Sequence, residues 1–195
     1  HDLFVMSDEI YEKLVFDGHK HHSIASFPGM WERTLTVNGF SKIYAMTGYR
    51  LGYVAAPAPI IRELNKLQQH SATCPTAFAH KGAAVEPASV EKTVAKMVKT
   101  FAQRRKLMMK GLSGIPGLKP MAPEGSFYMW LDCRGITSDS RSLSHRLLEE
   151  ALVALTPGVA FGQSGEGFLR LSFAADEATL QEACDRVRAA LTRGL

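Results

Sequence analysis

Residues 38–53 read NGFSKIYAMTGYRLGY, and this stretch decides the architecture around it. It carries Gly39, Gly48 and Gly52 and lacks a clear amphipathic helical period, so the apolar runs on either side, residues 34–37 and 51–56, are expected to be strands joined by an antiparallel return rather than a helical crossover. Lys42 and Arg50 stand eight residues apart inside it. Flanked by Phe40, Ile43, Tyr44 and Met46, Lys42 is expected to be partly desolvated, which disfavours the ammonium form and frees an amine for covalent chemistry. Arg50 keeps its charge and offers a planar fork of donors suited to phosphate or carboxylate oxygens.

Upstream, residues 3–6 form a continuous apolar run of the kind that makes a buried parallel strand, followed by Ser7, Asp8 and Glu9. Ligands of open α/β sheets bind beyond the carboxyl ends of the strands, where Asp8 would lie. A helix or turn cap is the competing role for the same carboxylate. Tyr11 follows three residues later, so a short turn can present both side chains to one flat ligand. The antiparallel return then gathers Asp8, Lys42 and Arg50 at one end of the sheet.

A chain of 195 residues that is 46% hydrophobic is long enough for one large or two small domains. Its net charge of +4 is local: residues 90–112 hold seven Lys or Arg against Glu91, which leaves −2 elsewhere. That pattern reads as a solvated helix face, and no nucleic-acid motif accompanies it. Cys74, Cys133 and Cys184 lack metal-ligand spacing and are expected to be buried free thiols. His19, His21 and His22 fall in the aperiodic stretch 17–33 and read as a solvated turn, with no metal site. With no apolar run of ~18 residues and no signal peptide, the expectation is a soluble, cytoplasmic protein with no membrane partner.

The remaining elements follow from periodicity. Ile60, Ile61, Leu64 and Leu67 mark a helix after Pro57, and residues 76–85 a small-residue helix after Pro75. Val90, Val94, Met97, Val98, Phe101, Met108 and Leu112 keep helical spacing across 89–112, long enough to cross between domains. Residues 114–125 are rich in Pro and Gly. Residues 127–132 alternate as a strand, and Leu143, Leu147, Leu148, Ala151 and Leu152 mark a helix that Asp139 precedes. In the strand 168–173, Arg170 and Ser172 face away from Leu169, Leu171 and Phe173. Asp176 caps a final helix whose stripe is Leu180, Cys184, Val187 and Leu191.

Gly39, Phe40, Ser41, Lys42, Ala45, Met46, Gly48, Arg50, Leu51 and Gly52 match the S/G-x-S-K-x-x-A-M-x-G-x-R-L-G pattern, and the chain here resembles the class I and II pyridoxal-phosphate-dependent aminotransferases. SDEIYE, PEGSFYMWLD, TPGVAFG and FLRLSFA are similar to further segments of that family in the same order, so the resemblance covers nearly the whole chain. It implies pyridoxal 5'-phosphate in a Schiff base with Lys42, which also moves the proton of the substrate α-carbon. It further implies Asp8 against the pyridine nitrogen, Tyr11 on the ring O3′, Arg50 on the phosphate and Arg170 on the substrate α-carboxylate. Gly39 stands where many relatives carry serine, and Tyr49 where many carry tryptophan.

The implied fold is α/β: the C-terminal part of a fold-type-I pyridoxal-phosphate enzyme. Residues 1–87 would be the remainder of the large mixed-sheet domain and residues 88–195 the small α+β domain. The implied reaction moves an amino group from an L-amino acid to a 2-oxo acid in a homodimer. The family's N-terminal half, with its ring-stacking residues, second phosphate segment and O3′-binding Asn, would lie outside these residues, so the chain alone is expected to turn over little. A carbon–sulfur lyase on the same scaffold, or a non-catalytic fragment, stays open at this level.

Overall fold

The computed structural model describes residues 1–84 and 87–193, with the backbone alone at 87–89. The chain divides into two compact units, His1–Val98 and Lys99–Leu195. Among the described residues no helix is long and apolar enough to cross a membrane.

In the first unit, β1 (Val5–Asp8) pairs in parallel with β2 (Thr34–Gly39), and β2 pairs antiparallel with β3 (Gly52–Ala55), giving the order β1-β2-β3. The antiparallel return expected around Lys42 is therefore present. Registers Asp8↔Val37 and Gly39↔Gly52 bring the end of β1, the end of β2 and the start of β3 to the same margin of the sheet. The expectation of a buried first strand is corrected. β1 begins at Val5, and among the described residues it has a strand neighbour on one side, so Leu3, Phe4 and Met6 are 65%, 73% and 76% exposed.

α1 (Ala58–Ser71) starts after Pro57 as its sequence requires, since a proline's missing N–H costs nothing at a helix start. Its stripe is only half covered, with no residue buried and Leu67 exposed. α2 (Ala77–Ala83) buries Ala79 but leaves Phe78 exposed. Val85, the end expected for this helix, lies outside the described residues. The core of the unit includes Leu14, Phe16, Ile43, Leu51, Ala56, Ala79 and Val94.

The boundary between the units falls inside α3 (Pro87–Leu112). Its lysines 92, 96, 99, 106 and 110 are exposed as expected, but Arg105 is buried, which the charge count did not foresee. The second unit is an antiparallel sheet in the order β4 (Lys119–Met121), β5 (Tyr128–Asp132), β7 (Phe168–Ser172), β6 (Thr156–Pro157). β4 lay hidden in the Pro/Gly-rich stretch because it is three residues long and contains Pro120. α4 (Ser140–Ala151) is capped by Asp139, which accepts from the Ser142 N–H, and α5 (Glu177–Thr192) by Asp176, which accepts from that of Thr179.

Side chains alternate across β5 and β7. Met129, Leu131, Leu169, Leu171 and the following Phe173 point into one core with Met108, Leu112, Leu147 and Val187. Gly111 lets α5 approach α3: a Cβ there would lie 2.5 Å from the Cys184 Sγ. All three cysteines are free, but Cys74 is exposed, contrary to expectation, because it follows α1 in a surface turn. Burial pushes the Cys133 thiol up to about 12 and that of Cys184 up to about 11. In the native chain a thiol reagent is therefore expected to modify Cys74 quickly and the other two only after denaturation, as a peptide map of the labelled protein would read.

Candidate active site

The margin where the three strands of the first unit meet carries four of the residues singled out from the sequence. Asp8 ends β1 with its carboxylate exposed and accepting from the Ile10 N–H at 3.2 Å, so it does serve as a local cap while keeping its charge at the surface. Successive turns follow, closed by Glu12 N–H to the Glu9 carbonyl at 2.9 Å and Leu14 N–H to the Tyr11 carbonyl at 2.8 Å. They carry a half-buried Tyr11 just beyond Asp8.

The loop from β2 to β3 is drawn together by the Phe40 N–H donating to the Leu51 carbonyl at 3.2 Å and the Met46 N–H to the Phe40 carbonyl at 3.2 Å. Lys42 is half-buried within it. The apolar neighbours expected to wrap Lys42 turn elsewhere: Phe40, Ile43, Tyr44 and Met46 line a cavity of about 350 Å³ together with Val90 and Val94, and Lys42 is not part of that lining. Ala45 and Arg50 both hold left-handed backbone, each at φ 54°, which costs a side-chain-bearing residue roughly 1 kcal/mol and is commonest at binding sites. Arg50 caps the short helical turn Thr47–Tyr49, and its Nη1 donates to the Thr47 carbonyl at 2.7 Å, leaving an exposed guanidinium at the start of β3. Gly39 is dictated by packing, because a Cβ there would meet the Leu51 carbonyl oxygen at 2.9 Å.

A carboxylate, a phenol, an amine and a guanidinium thus share one margin. Chemically they complement a flat heteroaromatic ring with a basic nitrogen, a phenolic oxygen, a carbonyl and a phosphate, and that donor set fits pyridoxal 5'-phosphate. Arg170 belongs to the second unit. It lies on β7 opposite Trp130 on β5 and Thr156 on β6, half-buried on the face away from the core, as the alternation predicts.

Glu9 was not singled out from the sequence, yet it is the most enclosed carboxylate of this margin, 4% exposed. It accepts from Ser23 Oγ at 2.8 Å and Ser7 Oγ at 3.1 Å, and it pairs with His21 Nε2 at 2.9 Å. Of the three histidines read as a solvated turn, His21 is therefore corrected: it and Ser23 pin the loop 17–26 to the end of β1. The only sequence signal was an acid next to Asp8. Burial pushes the Glu9 carboxyl up, but hydrogen bonds from His21, Ser23 and Ser7 outweigh it and hold the group below its ordinary value.

A depressed folded-state pKa contributes stability that is fully present above the unfolded value of ~4.3 and is lost as pH falls through the lower folded value. Glu9→Gln is thus expected to cost about 1–3 kcal/mol at neutral pH, with the gap to the parent closing in acid; urea unfolding at both pH values measures it.

The chain belongs to the aminotransferase class I and II family, whose model matches residues 1–187. It is 47% identical to an aspartate aminotransferase of Pyrococcus abyssi over 193 residues, 98% of this chain and 49% of that protein. It is 42% identical to aromatic-amino-acid aminotransferase 2 of Thermococcus litoralis, again over 98% of this chain and 49% of the relative. The crystal structure of an aromatic aminotransferase from Pyrococcus horikoshii superposes with a TM-score of 0.92 at 46% identity, covering 99% of this chain and 52% of that one. The α/β fold is thus that of a fold-type-I aminotransferase, and the chain spans about half the length of the curated relatives it matches.

Proposed function

We propose that this chain is the C-terminal part of a pyridoxal-phosphate-dependent aminotransferase that moves an amino group from an L-amino acid to a 2-oxo acid. The observation that carries the reading is the convergence of Asp8, Lys42 and Arg50 on one margin of the β1-β2-β3 sheet. In this reading residues 1–87 complete a large cofactor-binding domain and residues 88–195 form the small domain of a cytoplasmic homodimer. The relatives' names, aspartate and aromatic-amino-acid aminotransferases, make a dicarboxylic or aromatic donor the first to test.

Bound there, pyridoxal phosphate supplies an electron sink for the pair left when the substrate α-carbon loses its proton. Arg50, exposed at the start of β3, would anchor the phosphate through its planar fork. Asp8 keeps a proton on the ring nitrogen by ion pairing. Tyr11 donates to the ring oxygen. Lys42 would hold the cofactor through its side-chain amine and, as general base, would take the proton of the substrate α-carbon. Arg170 receives the substrate α-carboxylate in a bidentate pair.

The test is amino-group transfer from L-aspartate, L-phenylalanine or L-tyrosine to 2-oxoglutarate by the full-length, cofactor-loaded polypeptide that carries these residues. Release of pyruvate and ammonia from cysteine conjugates, without an added 2-oxo acid and with no transfer, would replace this reading by a lyase.

A further inference from the structure

The solvent-side face of the second unit's sheet carries a continuous series of stacked rings and guanidinium groups. Arg134 lies over Phe168 at 4.8 Å, and Phe168 stacks on Trp130 with centroids 5.8 Å apart and planes at 12°. Trp130 meets Phe161 edge-on at 5.5 Å and 76°. Arg170 follows, its Cζ 4.6 Å from the Phe161 centroid and 4.2 Å from that of Tyr128. Two arginines thus occupy one ladder, and they differ in what fills the edge of the guanidinium.

Arg134 has its edge filled. Its Nε and Nη2 donate to the two carboxylate oxygens of Asp132 at 2.9 and 2.7 Å, and the Arg134 hydrogen bonds hold Asp132 down to about 2. Arg170 has the same kind of aromatic support, on two rings instead of one, but no carboxylate partner among the described residues. A cavity of about 290 Å³ adjoins it, walled by Met121, Pro123, Tyr128 and Trp130. A guanidinium is weakly hydrated on its faces and donates hydrogen bonds in its plane, so covering it with rings leaves the in-plane edge for a ligand.

We propose that Tyr128 and Phe161 are positioning residues that hold the Arg170 guanidinium between their rings with its edge presented to a carboxylate. The inference rests on the reading, given above, that Arg170 receives the substrate carboxylate. Neither ring is placed by chance. Tyr128 sits one ladder step diagonal to Arg170, through the register Tyr128↔Ser172 and Trp130↔Arg170.

Phe161 ends a short helical turn, Gly158–Phe161, whose path is fixed by the contact of Gly158 with Gly165; a Cβ at either glycine would overlap the other's backbone. The Val159 N–H donating to Ser140 Oγ at 3.3 Å ties the same turn to the start of α4. A side chain immobilised in its binding geometry before the ligand arrives loses less entropy on binding. Phe161 is itself half exposed, which a purely packing role leaves unexplained.

The experiment compares Phe161→Leu, Phe161→Tyr and Arg170→Lys in the full-length, cofactor-loaded polypeptide, measuring KM and kcat for 2-oxoglutarate and inhibition by succinate. Phe161→Leu, which keeps the apolar bulk but not the ring, is expected to raise KM and the succinate inhibition constant about fivefold, the effect falling on binding rather than kcat. Phe161→Tyr, which restores the ring, should return both to within about twofold of the parent. If Arg170→Lys weakens binding while Phe161→Leu does not, the aromatic clamp is wrong and the role of Arg170 stands. If Arg170→Lys leaves KM and succinate inhibition unchanged, the role given to Arg170 fails and the clamp falls with it.

Discussion

Lys42→Ala is expected to lower amino-group transfer on the order of 10⁵-fold and to remove the visible absorbance of the bound cofactor. One amine performs two tasks in the proposed mechanism, attachment of the cofactor and movement of the α-proton, and a methyl group performs neither. The fold should survive the change. Lys42 is half-buried in a loop closed by backbone hydrogen bonds, and its apolar neighbours face the cavity lined by Val90 and Val94 rather than its own side chain. Absorbance spectra and thermal unfolding of parent and variant, recorded on the full-length polypeptide, separate these effects. A retained visible band would sink the assignment.

Asp8→Asn should produce the second-largest loss, on the order of 10³-fold in kcat with a small change in stability. Asparagine keeps a carbonyl oxygen where Asp8 accepts the Ile10 N–H, so the turn that follows β1 is preserved while the charge is removed. The negative charge is what holds a proton on a ring nitrogen; a neutral amide leaves the electron sink weaker. Single-turnover measurement of α-proton removal is the direct readout, and an unaltered rate would show that Asp8 serves as a cap alone.

Much of this was legible in the sequence because it depends on local chemistry. The stretch 38–53 is too short and too rich in glycine for a helical crossover, and that alone turns β3 back along β2 and brings Arg50 beside the ends of β1 and β2. The alternation of Phe168 to Phe173 likewise put Arg170 on the open face. Contacts that arise only when distant segments meet were not legible. Glu9 gains its role from His21 and Ser23, 12 and 14 residues away, through a loop with no period of its own. Tyr128 and Trp130 could have been placed on the Arg170 face by the alternation of β5, but nothing in the spacing brings Phe161 over the guanidinium, because its path depends on two glycine backbones touching. Cys74 was misplaced for a comparable reason: an average burial preference for cysteine gives way where a helix ends in a surface turn.

The open side of β1 has a practical consequence. An edge strand, which β1 is among the described residues, beside exposed Leu3, Phe4 and Met6 is a template for pairing with any other extended segment. Natural proteins blunt such borders with charge, proline or a covering element; here Asp2 precedes the strand, paired with Arg33 at 3.4 Å, and Asp8 ends it. Produced as these 195 residues alone, the polypeptide is predisposed to self-association through that border, and its solubility should respond to a lysine placed at Met6 more than to any change on the second unit's sheet.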